Sequence, residues 1–114
     1  MDADAGPDFA VELLDGDPPV LVVRGELDVE TSVQLREGLI GLTERGDPIV
    51  RMDLSGVSFI DSVGLSVLVQ ARKQYAAEAR DLQLRPVSAR VRATIDIAGA
   101  SAFLGIDETD VTHD

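Results

Sequence analysis

The sequence predicts a small α/β domain: one mixed sheet, opened by an antiparallel hairpin and otherwise mostly parallel, packed against helices. Three observations carry this. Short runs rich in Val, Ile and Leu alternate with longer stretches whose apolar residues recur at helical spacing. The resulting order is β-β-α-β-α-β-α, and strand–helix alternation implies crossovers between parallel strands. Between the first two strands, Leu14-Asp15-Gly16-Asp17-Pro18-Pro19 carries strong turn chemistry, which makes that pair a hairpin.

Residues 1–8 are acidic and lack an apolar segment; they read as a disordered leader and not as a secretory signal. Phe9, Val11 and Leu13 then share one face of a first strand at period two. Val20-Leu21-Val22-Val23-Arg24 is a continuous run, as expected of a strand buried on both faces, and Gly25-Glu26-Leu27-Asp28 closes it. A helix follows from about Thr31 to Arg45. Thr31 and Gln34 have capping-box spacing, Leu35, Leu39 and Leu42 make its apolar stripe, and Gly46-Asp47-Pro48 stops it.

The third strand is Ile49 to Leu54, followed by a loop from Ser55 to Asp61. The next helix starts at Ser62 as N-cap and runs to about Ala79, with Leu65, Leu68, Ala71 and Tyr75 facing inward. Leu82 to Val87 alternates as a strand, and Pro86 places its end there. Ser88 caps a last helix reaching Ala98, with Val91, Ile95 and Ala98 as its stripe and Gly99 just past its end. Ala102 to Ile106 packs back as a short apolar segment. The domain spans 9–106, and 107–114 reads as an acidic tail.

Composition bounds the chemistry. At 114 residues, with 45% apolar and 27% charged, the chain suits one globular domain. No apolar run approaches the roughly 20 residues of a membrane helix. Net charge is −11, which argues against nucleic acid; it either attracts a partner with a basic surface or serves solubility alone. The absence of cysteine excludes disulfides and thiolate chemistry and fits a cytoplasmic protein. The sole histidine, His113, lies in the tail, so no Ser-His-Asp arrangement is expected. No phosphate-binding loop and no metal-ligand spacing is present, so no cofactor and no metal are expected. The chain is expected to be a monomer or a weak dimer, and not an enzyme.

Chemistry therefore concentrates in Asp53 to Leu65. Asp53, at a strand end, invites a receiver-like phosphoacceptor, or else bonds loop amides near Ser55 and Gly56. Gly56 suits a left-handed turn where the chain leaves the strand. Gly64 either keeps the backbone beside Ser62 open to a partner or is a close-packing glycine. Ser62 is either a plain cap or a switched residue, since a helix start also favours a phosphate.

Val50-Arg51-Met52-Asp53-Leu54-Ser55-Gly56-Val57-Ser58-Phe59-Ile60-Asp61-Ser62-Val63-Gly64-Leu65 closely resembles the signature of STAS-domain anti-sigma-factor antagonists. Gly25-Glu26-Leu27-Asp28 resembles a second motif of that family, and Val87-Ser88 with the helix to Gly99 a third. Many members carry glycine where this chain has Ser66. The resemblance implies binding to an anti-sigma factor with serine kinase activity, which releases a sigma factor. It implies phosphorylation at Ser62, which ends binding, and a PPM-type serine phosphatase that restores it. Glu26, Asp28, Ser58, Asp61, Ser62, Gly64 and Ser66 are then partner-facing, with Asp53, Ser55 and Gly56 holding the loop. Such partner switching serves bacterial stress response and sporulation. A STAS scaffold without a switch is the other reading within this family.

Overall fold

The computed structural model describes residues 9–106 and 111–112. Its sheet has five strands in the order β1-β2-β3-β4-β5. The strands β1 (Ala10–Leu14) and β2 (Val20–Leu27) pair antiparallel. Then β3 (Ile49–Ile60), β4 (Asp81–Ser88) and β5 (Val111–Thr112) add in parallel. Four helices complete the described residues: α1 (Ser32–Arg45), α2 (Ser62–Ala77), α3 (Ala89–Ile97) and α4 (Ser101–Leu104). The predicted class and the front hairpin are both present.

The core lies on one face of the sheet. Along β3, buried Val50, Met52 and Leu54 alternate with half-exposed Arg51, Asp53 and Ser55. Leu21 and Val23 on β2, and Leu82 and Leu84 on β4, repeat that period. Leu35, Leu39 and Leu42 of α1 join them, as their spacing predicts, with Leu68, Tyr75, Ile95 and Leu104 from the other helices. Because burial is one-sided, Val20 and Val22 are only half-buried, and β2 is not the doubly covered strand its composition suggests.

Several boundaries differ from expectation. The stretch expected as a loop after Leu54 continues β3 to Ile60. Pairing with β2 persists there, because the β2–β3 register skips twice and so absorbs the Gly and Ser residues that resemble a loop. Pro86 lies inside β4, where the β3–β4 register skips between Met52 and Leu54 and where β5 reaches only Val87 and Ser88. Its missing N–H therefore breaks no ladder bond on that side. Thr31 makes no side-chain cap on α1, so the capping box does not form.

In α2, Val67 takes the buried place expected of Leu65, which is half-buried. Ser88 does cap α3, accepting from the Val91 amide at 3.3 Å. Ala98 is exposed and leaves the stripe to Val91 and Ile95. Within the expected tail, Val111–Thr112 forms β5 on the edge of β4. The leader at 1–8 and His113 lie outside the described residues.

Candidate functional site: the start of helix α2

The register Glu26↔Phe59 and Leu27↔Ile60 brings the C-terminal ends of β2 and β3 side by side. Asp28 and Asp61 are thus the first residues beyond two neighbouring parallel strands. The Asp61 amide donates to the Leu27 carbonyl at 3.2 Å and ties the two strand ends together. The chain then turns into α2.

The cap of α2 is Asp61 and not Ser62. Asp61 has extended backbone, and its carboxylate accepts from the Gly64 amide at 2.9 Å. Its carbonyl takes the first intrahelical bond, from the Leu65 amide at 2.9 Å. Ser62 is the first helical residue and is exposed. Aspartate and serine are comparable caps, so composition alone could not choose between adjacent candidates. The consequence is chemical: the Ser62 hydroxyl carries no cap bond and stands at the positive end of the helix dipole.

Gly64 is buried, and its two candidate roles resolve in favour of packing. A β-carbon there would lie 2.7 Å from the Leu27 carbonyl oxygen and 2.8 Å from the Leu27 Cγ. Gly64 is therefore not partner-facing; it lets α2 seat on the end of β2. Gly56 does not occupy the left-handed region either. It is a strand residue, where a β-carbon would meet the Arg24 Cγ at 2.8 Å.

The loop from β2 to α1 forms the opposite wall. Asp28 accepts at Oδ1 from the Glu30 and Thr31 amides, both at 3.0 Å, and from the Thr31 hydroxyl at 3.1 Å. These bonds, the Thr31 amide foremost, hold its carboxyl below the usual aspartate range. The Thr31 hydroxyl also meets the Glu26 carbonyl at 2.6 Å and the Asp28 amide at 2.9 Å. Asp28 thus shapes the loop beside the site, while Glu26 is exposed.

The remaining candidates spread outward. Asp53 sits mid-strand, paired with Val22, and accepts from the Ser55 amide at 2.9 Å and the Ser55 hydroxyl at 2.7 Å. A receiver-like acceptor at a strand end is therefore not the geometry here, because β3 runs on to Ile60. Ser58 is exposed and lines a polar recess with Ser55, Ser88, Arg90 and Thr112. Ser66 is exposed one turn below Ser62. Among the described residues, no group of three or more His, Cys, Asp or Glu is placed to hold a metal. No helix among them is long and apolar enough to cross a membrane.

Two features escaped the sequence reading. One is the Leu27 carbonyl, a backbone atom invisible to side-chain patterns. The other is a set of exposed apolar residues around the site: Val29 at 61%, Val33 at 50% and Phe59 at 47% exposure. Val33 was legible as an apolar residue off the α1 stripe.

Together, fold and site define a small mixed α/β domain that presents an uncapped, exposed serine at the start of a helix. The chain belongs to the STAS domain family, whose pattern matches residues 9–112. It is 36% identical over 84 residues to the anti-sigma-B factor antagonist of Bacillus subtilis, covering 74% of this chain and 76% of that one. An anti-sigma factor antagonist from Mycobacterium paratuberculosis superimposes with a TM-score of 0.69 at 27% identity, over 90% of this chain and 86% of that one. The Bacillus cell-fate determinant SpoIIAA in its phosphorylated form shares the fold, with a TM-score of 0.64 at 22% identity over 91% and 88%.

Proposed function

We propose that this chain is an anti-sigma factor antagonist, switched at Ser62. It binds an anti-sigma factor and so frees a sigma factor. The anti-sigma factor is itself a serine kinase, whose transfer of phosphate to Ser62 ends binding, and a PPM-type phosphatase restores it. In this exchange the antagonist is a ligand and a substrate, not a catalyst, and it acts in the cytoplasm.

The observation that carries the reading is the exposed Ser62 as first residue of α2, free of capping duty, in a chain with curated relatives named anti-sigma-B factor antagonist. The helix N-terminus tolerates added negative charge, so the modified domain stays folded. At an interface the result is opposite. Phosphorylation adds roughly −1.5 to −2 charge. That charge lands beside the Asp61 carboxylate and near Asp28, on a protein already at −11. Like charge brought together at an interface costs several kcal/mol, and each 1.4 kcal/mol is about tenfold in affinity.

The test is intact-mass measurement after incubation with the cognate anti-sigma factor and ATP. Wild type should gain one phosphate and Ser62→Ala none. An unmodified wild type beside an active kinase would refute the reading. Ser62→Asp should bind the anti-sigma factor at least tenfold more weakly than wild type.

A further inference from the structure

Helices α1 and α2 follow the parallel strands β2 and β3, so they start at the same end of the sheet, and a groove of about 450 Å³ lies between them. Arg36 on α1 and Ser66 on α2 are the lining residues nearest that end, one on each wall. Both are exposed, and among the described residues neither side chain makes a hydrogen bond or an ion pair. Ser66 differs in this from Thr43 and Thr94, whose hydroxyls bond back to the carbonyls of Leu39 and Arg90 four residues earlier. Arg36 differs from Arg45, Arg80 and Arg92, which pair with carboxylates. Helical side chains lean toward the N-terminus of their helix. Ser66 therefore leans over the turn that begins with Ser62, whose Cβ lies about 5–6 Å from its own at this i, i+4 spacing. Arg36 leans toward the same end from α1, across an axis separation of about 8–10 Å.

We propose that Arg36 and Ser66 clasp the phosphate of phosphorylated Ser62, the guanidinium donating to two of its oxygens and the Ser66 hydroxyl to the third. This rests on the reading of Ser62 as the phosphoacceptor. A phosphoserine offers three strong acceptor oxygens, and an arginine set opposite it forms charge-assisted bonds. The planar fork of a guanidinium matches phosphate oxygens two at a time. Both donors are unoccupied before modification, so the clasp breaks no bond. Asp61 and Asp28 flank the same end and disfavour the dianion, and Arg36 is the cation on the groove wall that opposes them. The clasp fixes where the charge stands. An unrestrained phosphoserine swings on its side-chain torsions and rotates clear of an incoming surface. A clasped one does not, and the like-charge cost falls in full on the partner. Arg36 and Ser66 are thus positioning residues, and they act only once the phosphate is present.

The experiment is phosphorus NMR titration of the full chain with phosphoserine installed at position 62 during translation, which needs no kinase. Wild type, Arg36→Gln, Ser66→Ala and Lys73→Gln are compared. The second ionisation of a phosphoserine ordinarily has its midpoint at about pH 6, and donors that favour the dianion lower it. Relative to wild type, Arg36→Gln should raise the midpoint by about 0.5 unit and Ser66→Ala by about 0.3 unit. Lys73 is exposed on α2, roughly 16 Å along the helix from Ser62, and Lys73→Gln should stay within about 0.1 unit. Asp61, Asp28 and Glu26 are the same in all four chains, so they do not enter the differences. Either Arg36→Gln or Ser66→Ala within about 0.1 unit of wild type, or Lys73→Gln shifting as far as Arg36→Gln, overturns the proposal. A second measurement needs no variant. The Arg36 Nε–H signal of wild type should move and exchange more slowly with phosphate on Ser62, and an unchanged signal also overturns the clasp. Should the midpoints shift as expected while an active kinase leaves Ser62 unmodified, the switch reading falls and the clasp stands. Should the kinase modify Ser62 while no midpoint moves, the clasp alone falls.

Discussion

Gly64 and the Leu27 carbonyl are in such close approach that a β-carbon on the glycine would stand 2.7 Å from the oxygen. That oxygen also receives the Asp61 amide, so it cannot retreat without loosening the strand-end tie. Gly64→Ala is therefore expected to destabilise. Overpacking costs about 1–3 kcal/mol, and the better helix propensity of alanine offsets about 1 kcal/mol of it. Urea unfolding should show a net loss of up to about 2 kcal/mol. A gain in stability, the usual result for Gly→Ala in a helix, would mean that α2 does not sit this close.

The cap assignment separates two neighbouring residues. Asp61→Ala removes the acceptor for the Gly64 amide and should cost about 1 kcal/mol. Ser62→Ala removes no cap bond and should stay within about 0.5 kcal/mol of wild type. The same urea series measures both. The reverse ranking would return the cap to Ser62, and with it the case against a free hydroxyl.

Asp28 gives a prediction in pH. Its carboxyl accepts three hydrogen bonds, and its folded-state value lies below the ordinary 3.8. A depressed carboxyl stabilises the fold above its unfolded value and loses that contribution as pH falls through its folded value. The β2–α1 loop should therefore loosen only in strongly acidic solution. Carbon-detected NMR titration should place the Asp28 midpoint below 3.8, and Thr31→Val, which removes the hydroxyl donor, should raise it. A midpoint at or above 3.8 would mean the three donors are not engaged in solution.

What the sequence made legible, and what it hid, follows the range of the interactions. The stripe Leu35, Leu39, Leu42 is set by helical period alone, and all three residues are buried. Ser88 could be read as a cap because no rival acceptor adjoins it. At Asp61-Ser62 two good caps are adjacent, and only the extended backbone of Asp61 decides between them. The far half of β3 was hidden because Ser55, Gly56 and Ser58 are poor strand formers, held in the ladder by β2. Gly64 was ambiguous for the same reason: its constraint comes from Leu27, thirty-seven residues earlier, which no local pattern reports.

Tyr75 closes the groove between α1 and α2 and is almost wholly buried, at 1% exposure. Its hydroxyl has no hydrogen-bond partner among the described residues. Arg80 stacks on its ring at 4.3 Å but directs its N–H groups elsewhere, to the carbonyls of Asp47, Thr43 and Leu42 and to Glu78. Burial, the largest influence, pushes the phenol above its ordinary 10.0. The folded state therefore keeps its proton at a pH where the unfolded chain has lost it, and stability falls as pH rises beyond 10. Tyr75→Phe removes a buried polar atom with nothing to satisfy it, and such replacements are close to neutral or stabilising. At pH 7 the variant should match or exceed wild type in urea unfolding, and above pH 10 it should lose stability less steeply. A loss of more than about 1 kcal/mol at pH 7 would show that the hydroxyl makes a bond of ordinary strength, most simply with Arg80.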